Sequence, residues 1–483
     1  MSRKVKPRLA RGLRDLLPDE LIPRQRMIDT IRRVYELYGF SPISTPAIEY
    51  RDVLFGSEAG EEAAGSIFHV HGPDDEELGL RFDLTVPLAR VVAQYRDLGR
   101  PFRRYQVADV WRADKPGRGR FREFMQVDMD SVGAVSEVAD TEIMAAMCDT
   151  LDGLDVGEYR VRYSSRGILN SLLRFAGIDE ERGPDVFRVL DKLEKIGFDK
   201  VRKELTTGYV DESGDPISGV GVGDDQVDRI ARFLEVRSDE RQSVLDQLSD
   251  LFAGVEGADE EIDALARIHR HLAALGYGDD KVVVDLSIAR GLAYYTGPVF
   301  EAGLVEAPQY GSVFSGGRYD GLVERFLGEK VPATGASIGV DRLLAALVDL
   351  GRVDERRSTA QVLVTVMDKS LMDDYLELAF ELRRAGVPTD LYVGKPGGVG
   401  RQLKYADRSG VPIALLFGGN EKEAGVVTLK DLDLGRLKSQ EIEERSEWIE
   451  ERPGQVEVPR GELVAQVREM IRRQERPAGD GAP

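Results

Sequence analysis

RADKPGRGRFREFMQVDMD, residues Arg112 to Asp130, couples a basic loop to an alternating strand. Arg112 closes a strand-like run (Arg104–Trp111), and a glycine- and proline-containing loop with Lys115, Arg118, Arg120 and Arg122 follows. In the strand after it, period-two geometry places Phe124, Gln126 and Asp130 on one face. Such a pairing suits a nucleoside triphosphate, because arginine forks grip phosphate oxygens in pairs while the strand holds a reacting partner in register. Taken alone, the loop is equally a solvated basic loop on an acidic protein.

Three further segments lie outward along the chain. RGLAYYTGPVFE, residues 290–301, sets an arginine, a glycine turn and two tyrosines between strands, although paired tyrosines are also ordinary core residues. SGGRYDG, residues 315–321, brings backbone close beside Arg318 and Tyr319, as any glycine turn does. GASIGVDRLL, residues 335–344, leads small residues into a helix with Arg342 near its start, which fits an anion or a flat base as well as plain close packing.

In this order and spacing the four segments resemble the motifs of a class II aminoacyl-tRNA synthetase, specifically the histidine family. GLRDLLP (12–18) is similar to that family's opening motif, and YGFSPISTPAIEY (38–50) to motif 1, its dimer interface. LRFDLTVPLAR (80–90) is similar to the amino-acid-binding segment, 112–130 to motif 2 and GASIGVDRL to motif 3. The resemblance implies an α+β fold: an antiparallel-sheet catalytic domain with a helical insertion, then a C-terminal α/β anticodon-binding domain. It implies ATP as substrate with Mg²⁺ escorting its outer phosphates, L-histidine and tRNA(His) as partners, and a homodimer.

Carried over by motif position, the resemblance puts Arg112 on the α-phosphate and the histidine carboxylate, with Arg290 as the second catalytic arginine. Arg120 and Arg122 would meet the other phosphates, and Phe124 and Arg342 would sandwich adenine. Asp83, Thr85 and Gln126 would hold the α-amino group, Asp130 and Tyr295 the imidazole, with Tyr294 and Tyr319 further pocket members. Ala293 departs from the family's usual aspartate, which implies a lost supporting contact. Arg401, Lys404 and Arg408, at i, i+3 and i+7, share one helix face and are the candidates for RNA phosphates, though such a stripe is also an ordinary solvated face.

The expected organisation is a catalytic part at 1–164, the helical insertion at 165–278, a second catalytic part at 279–349 and a linker at 350–358. The anticodon-binding module follows at 359–438, and a charged extension at 439–483. Ile43–Tyr50 reads as a strand despite Pro46, which points to an edge.

Composition bounds the alternatives. A chain of 483 residues with 42% hydrophobic and 31% charged residues has ample core, and it holds no apolar run of membrane-spanning length. The net charge of −20 argues against a general polyanion-binding surface but leaves room for a local basic track. Residues 359–438 hold 11 basic and 11 acidic side chains, so that segment repels RNA least. One cysteine, Cys148, excludes an intrachain disulfide, and with no secretory signal the cytoplasm is the expected location. The histidine pairs His69/His71 and His269/His271 lack a third ligand, so no metal site is expected. Two rivals share the scaffold: the regulatory subunit of ATP phosphoribosyltransferase, which lacks the anticodon module, and a non-catalytic RNA-binding sensor.

Overall fold

The computed structural model describes residues 5–56, 67–117, 119–211, 214–288, 295–353, 357–394, 398–434 and 454–475. The chain falls into two units, residues 1–14 with 26–353, and residues 15–25 with 354–483.

In the first unit eight strands form one sheet: β1 (Ser41–Pro42), β2 (Phe102–Trp111), β3 (Glu123–Val132), β4 (Tyr159–Ser165), β5 (Val282–Val284), β6 (Pro298–Leu304), β7 (Ser312–Arg318) and β8 (Ala333–Gly339). Their order is β1-β2-β3-β8-β7-β6-β4-β5. Every pairing from β2 through to β4 is antiparallel, and only the two edge pairings are parallel. β2 and β3 stay in register from Phe102↔Val132 to Trp111↔Glu123. Alternation along β3 then separates two functions. Val127 and Met129 turn down into an apolar core with Met27, Ile31 and Tyr35 of helix Pro18–Leu37 and with Ile143, Met147 and Leu151 of helix Val138–Gly153. Gln126, Asp128 and Asp130 face the other way and floor a cavity.

The run Ile43–Tyr50 is not one strand. Ser41–Pro42 joins the large sheet, while Ile48–Tyr50 pairs with Glu77–Leu80 in a separate three-stranded sheet. Pro46 falls in the break, where its missing N–H costs no ladder bond. The six helices between Arg166 and Ala274 bury apolar residues at helical spacing, among them Leu190, Val244, Leu248, Ile262, Leu265 and Ile268. These residues share one apolar cluster with the large sheet.

The second unit has a five-stranded sheet of β9 (Val362–Val364), β10 (Thr389–Leu391), β11 (Ile413–Leu416), β12 (Val426–Asp431) and β13 (Gln455–Pro459), in the order β10-β9-β11-β12-β13. The first three run parallel, and β12 and β13 antiparallel. β13 and helix Leu463–Glu475, which the sequence reading leaves in the 439–483 extension, complete this sheet and bury Val458, Leu463 and Val467 in its core. Among the described residues no helix is long and apolar enough to cross a membrane.

Candidate active site

Strands β3, β6, β7 and β8 floor a chamber of about 400 Å³, within the range of small-molecule sites. Its walls include Asp83, Thr85, Arg112, Gln126, Asp128, Asp130, Tyr295, Glu301 and Tyr319. A smaller chamber of about 150 Å³ is lined by Arg112, Arg120, Phe121, Phe124, Asp341 and Arg342. Arg112, Gln126, Ser312, Ser315, Ser337 and Arg342 belong to both walls, so the two chambers adjoin.

Glycines make the floor. A Cβ on Gly335 would lie 2.0 Å from Asp130 Oδ1, and one on Gly316 would lie 2.1 Å from the Gly335 carbonyl oxygen. Only bare backbone lets the Asp130 carboxylate lie across β8. Asp130 accepts a hydrogen bond from the Tyr319 hydroxyl, and its Oδ2 lies 2.7 Å from Nη2 of Arg104. Arg104 is wholly buried and donates also to the Leu84 carbonyl at 3.0 Å, tying the start of helix Thr85–Gln94 to the sheet. Asp83 accepts from Val86 N–H at 3.2 Å at the same helix start.

Electrostatically the larger chamber is built for a cation. Enclosure pushes the Asp83 carboxyl up to about 6, against the pull of its backbone hydrogen bond and of Arg112. Burial raises Asp128 as well, with Arg104 opposing and Asp130 adding to the rise. Asp130 is raised by burial against Arg104 and Tyr319. A positively charged group entering here would offset the cost of three enclosed carboxylates.

Arg112 stands at the junction. Its Nε donates to the Phe82 carbonyl at 3.0 Å, and its guanidinium carbon lies 5.2 Å from the Phe124 ring centroid. Arg342, in the first turn of helix Val340–Asp349, donates to the Ser312 carbonyl at 2.7 Å. Arg120 is more than half exposed and pairs with Asp114 at the mouth.

Arg122 is placed differently from its expected role. Its Nε donates to the Asp114 carbonyl at 3.1 Å and its stem packs on Gly12, so it lines neither chamber. Arg122 is held there by its own backbone, whose N–H donates to the Gly12 carbonyl at 2.9 Å, while Arg120 is turned to Asp114. Arg318 is buried and serves the fold, pairing with Asp140 at 2.6 Å and holding the Ala134 and Ser136 carbonyls at 3.1 Å. Arg290, Ala293, Tyr294 and Arg118 lie outside the described residues.

Sequence reasoning passed over Asp128, Arg104 and Asp341. Asp128 shares the face of Gln126 and Asp130, and alternation alone could have found it. In the second unit, Arg401, Lys404 and Arg408 are all exposed along helix Val399–Ser409, while Gln402 and Ala406 turn inward. Among the described residues no group of three or more His, Cys, Asp or Glu is arranged to hold a metal ion.

An antiparallel sheet flooring a double chamber, with a motif 2 arginine where its halves meet, defines a class II aminoacyl-tRNA synthetase. Comparison with known proteins narrows the class. Residues 12–343 match the family model described as histidyl-tRNA synthetase, and residues 361–452 match that of an anticodon binding domain. The histidine–tRNA ligase of Ruegeria sp. strain TM1040 is 45% identical over 479 residues, 95% of each chain. That of Paracoccus denitrificans is 44% identical over 487 residues, covering 97% of this chain and 98% of the relative. The crystal structure of histidyl-tRNA synthetase from Nostoc sp. PCC 7120 superposes with a TM-score of 0.81 at 32% identity, covering 97% of this chain and all of that one. The chain belongs to the histidyl-tRNA synthetase family.

Proposed function

We propose that the chain ligates L-histidine to tRNA(His) in two steps through histidyl-adenylate. The observation that carries this reading is that the two chambers adjoin, with Arg112 in the wall of both. The larger takes histidine: Asp83, Thr85 and Gln126 hold the ammonium group, Asp130 and Tyr295 address the imidazole, and Tyr319 steadies Asp130. The smaller takes the base of ATP between Phe124 and Arg342, with Arg120 at the mouth for the outer phosphates.

A histidine carboxylate oxygen then attacks the α-phosphorus in line, and the bond to the bridging oxygen breaks as pyrophosphate leaves. Arg112 stabilises the charge developing on the α-phosphoryl oxygens. Arg290 is assigned the same duty from its motif alone. The terminal ribose hydroxyl of the tRNA next attacks the activated carbonyl, and AMP departs. Mg²⁺ accompanying ATP, an ion that prefers phosphate and water oxygens to an all-protein cage, would supply charge to its outer phosphates. Selectivity follows from an imidazole that both donates and accepts; a side chain that leaves buried partners unpaired costs about 1–3 kcal/mol per group.

Arg401, Lys404 and Arg408 are proposed contacts to tRNA phosphates, and the module at 359–438 is the proposed anticodon reader. A homodimer through motif 1 is supported by the open cleft at that segment, where Ile48, Tyr50 and Tyr95 are 43%, 51% and 57% exposed. A cytoplasmic location completes the reading. The regulatory-subunit alternative is disfavoured by the matched anticodon domain. Histidine-dependent exchange of pyrophosphate into ATP tests the reading: exchange that needs histidine supports it, and none with active-site-titrated protein refutes it.

A further inference from the structure

Phe124 on β3 and Arg342 on helix Val340–Asp349 face the smaller chamber from two chain segments that are far apart in sequence. β3 and β8 pair as far as Gln126↔Gly339, and just past the end of that ladder a carboxylate ties the two segments together. The Met125 N–H, one residue after Phe124, donates to Asp341 Oδ2 at 2.7 Å, and Asp341 immediately precedes Arg342. Asp341 is buried, and its other oxygen accepts from Arg14 Nη2 at 3.0 Å. The guanidinium carbon of Arg14 also lies 3.9 Å from the Phe121 ring centroid, and Phe121 lines the same chamber.

Two residues earlier the chain is bound to the same loop. The Gly12 carbonyl accepts from Arg122 N–H at 2.9 Å, and a Cβ on Gly12 would lie 2.8 Å from the Arg122 side chain. Residues 12–14 therefore run as a strap along the outside of the motif 2 hairpin. Arg14 itself lines neither chamber, but it touches two residues that line the smaller one, Asp341 and Phe121.

From these contacts we infer that Arg14 is a positioning residue that sets the gap between Phe124 and Arg342, and through it the affinity for the adenine of ATP. The inference rests on the reading of the smaller chamber as the base site. A buried carboxylate is costly unless it is paired and hydrogen-bonded. The planar guanidinium pairs with Asp341 and stacks on a chamber wall at once, which an ammonium cannot do. The jaws are then held at one spacing before ATP arrives, and the ordering cost is met by the fold.

Pyrophosphate exchange with the full chain separates the possibilities. Arg14→Ala is expected to raise the KM for ATP about tenfold while the KM for histidine stays within about twofold. Arg14→Lys, which keeps the charge and loses the stack, should fall between Arg14→Ala and the parent, and it carries the test if the alanine variant folds poorly. An unchanged KM for ATP in both variants, or equal rises for ATP and histidine, overturns the inference while leaving the parent activity intact. A parent chain inactive in histidine-dependent exchange removes the functional reading and this inference together.

Discussion

Arg104 and Asp130 face one another across β2 and β3, Nη2 to Oδ2 at 2.7 Å, with the guanidinium wholly enclosed beside the larger chamber. The carboxylate assigned to the imidazole is thus fixed from the side by a cation that does not line the chamber. Breaking such a buried pair by removing one partner costs about 3–5 kcal/mol. Arg104→Met should lower unfolding stability by about that much in urea titrations, and it should raise the KM for histidine more than that for ATP.

Asp83 is enclosed at a cost in stability. Its folded carboxyl titrates at about 6, above the ordinary value near 4, so the empty protein holds this proton in the window between them. A raised carboxyl costs stability above that window, and the cost is relieved as pH falls through 6 towards 4. Asp83→Asn, which keeps an acceptor for Val86 N–H, should therefore stabilise the ligand-free chain at pH 7.5 by about 2–3 kcal/mol. That advantage over the parent should shrink towards pH 5, and the variant should bind histidine more weakly. Urea unfolding of both proteins across this range measures the difference.

Asp128 lines the larger chamber, and its Oδ1 is buried with no hydrogen-bond partner among the described residues. A ligand donor that reached it would satisfy a buried acceptor. Asp128→Asn is expected to weaken histidine binding by about 1.5–3 kcal/mol, roughly 10- to 150-fold, with little change in the KM for ATP. Steady-state exchange kinetics with each substrate varied in turn read both quantities.

Gly335 has no room for a methyl group, which would meet Asp130 Oδ1 at 2.0 Å and the Met129 carbonyl oxygen at 2.6 Å. Gly335→Ala should displace the carboxylate, destabilise the first unit by about 1–3 kcal/mol and depress histidine-dependent exchange. Thermal unfolding paired with activity checks it.

Truncation after residue 453 removes β13 and the final helix, uncovering the edge of β12 and the core around Leu429. An unpaired edge over an opened core invites aggregation. Limited proteolysis should cut the truncated second unit faster than that of the full chain.

Much of this was legible because local pattern and tertiary role coincide. Val127 and Met129 alternate with Gln126, Asp128 and Asp130, so the two faces of β3 are visible in the sequence. Arg103 and Arg104 are adjacent and identical, and alternation says only that they face opposite ways. Which one is buried depends on Asp130 arriving from the neighbouring strand. Asp341 looks like the acidic first turn of a helix, and its bridge between Met125 and Arg14 spans 327 residues at its widest. Arg122 looked like its neighbour Arg120 because basic residues in one loop carry no mark of which way they leave it. β13 was hidden because the charged stretch before it resembles a tail, while its pairing with β12 is set by register in space.

The central claim is that two adjoining chambers, sharing Arg112, hold an amino acid and a nucleotide side by side. Competition binding of a sulfamoyl analogue of histidyl-adenylate tests it most directly. The account predicts that the analogue is displaced competitively by histidine and by ATP, each acting alone. Displacement by only one of the two would mean that the chambers do not form a single site, and would contradict it.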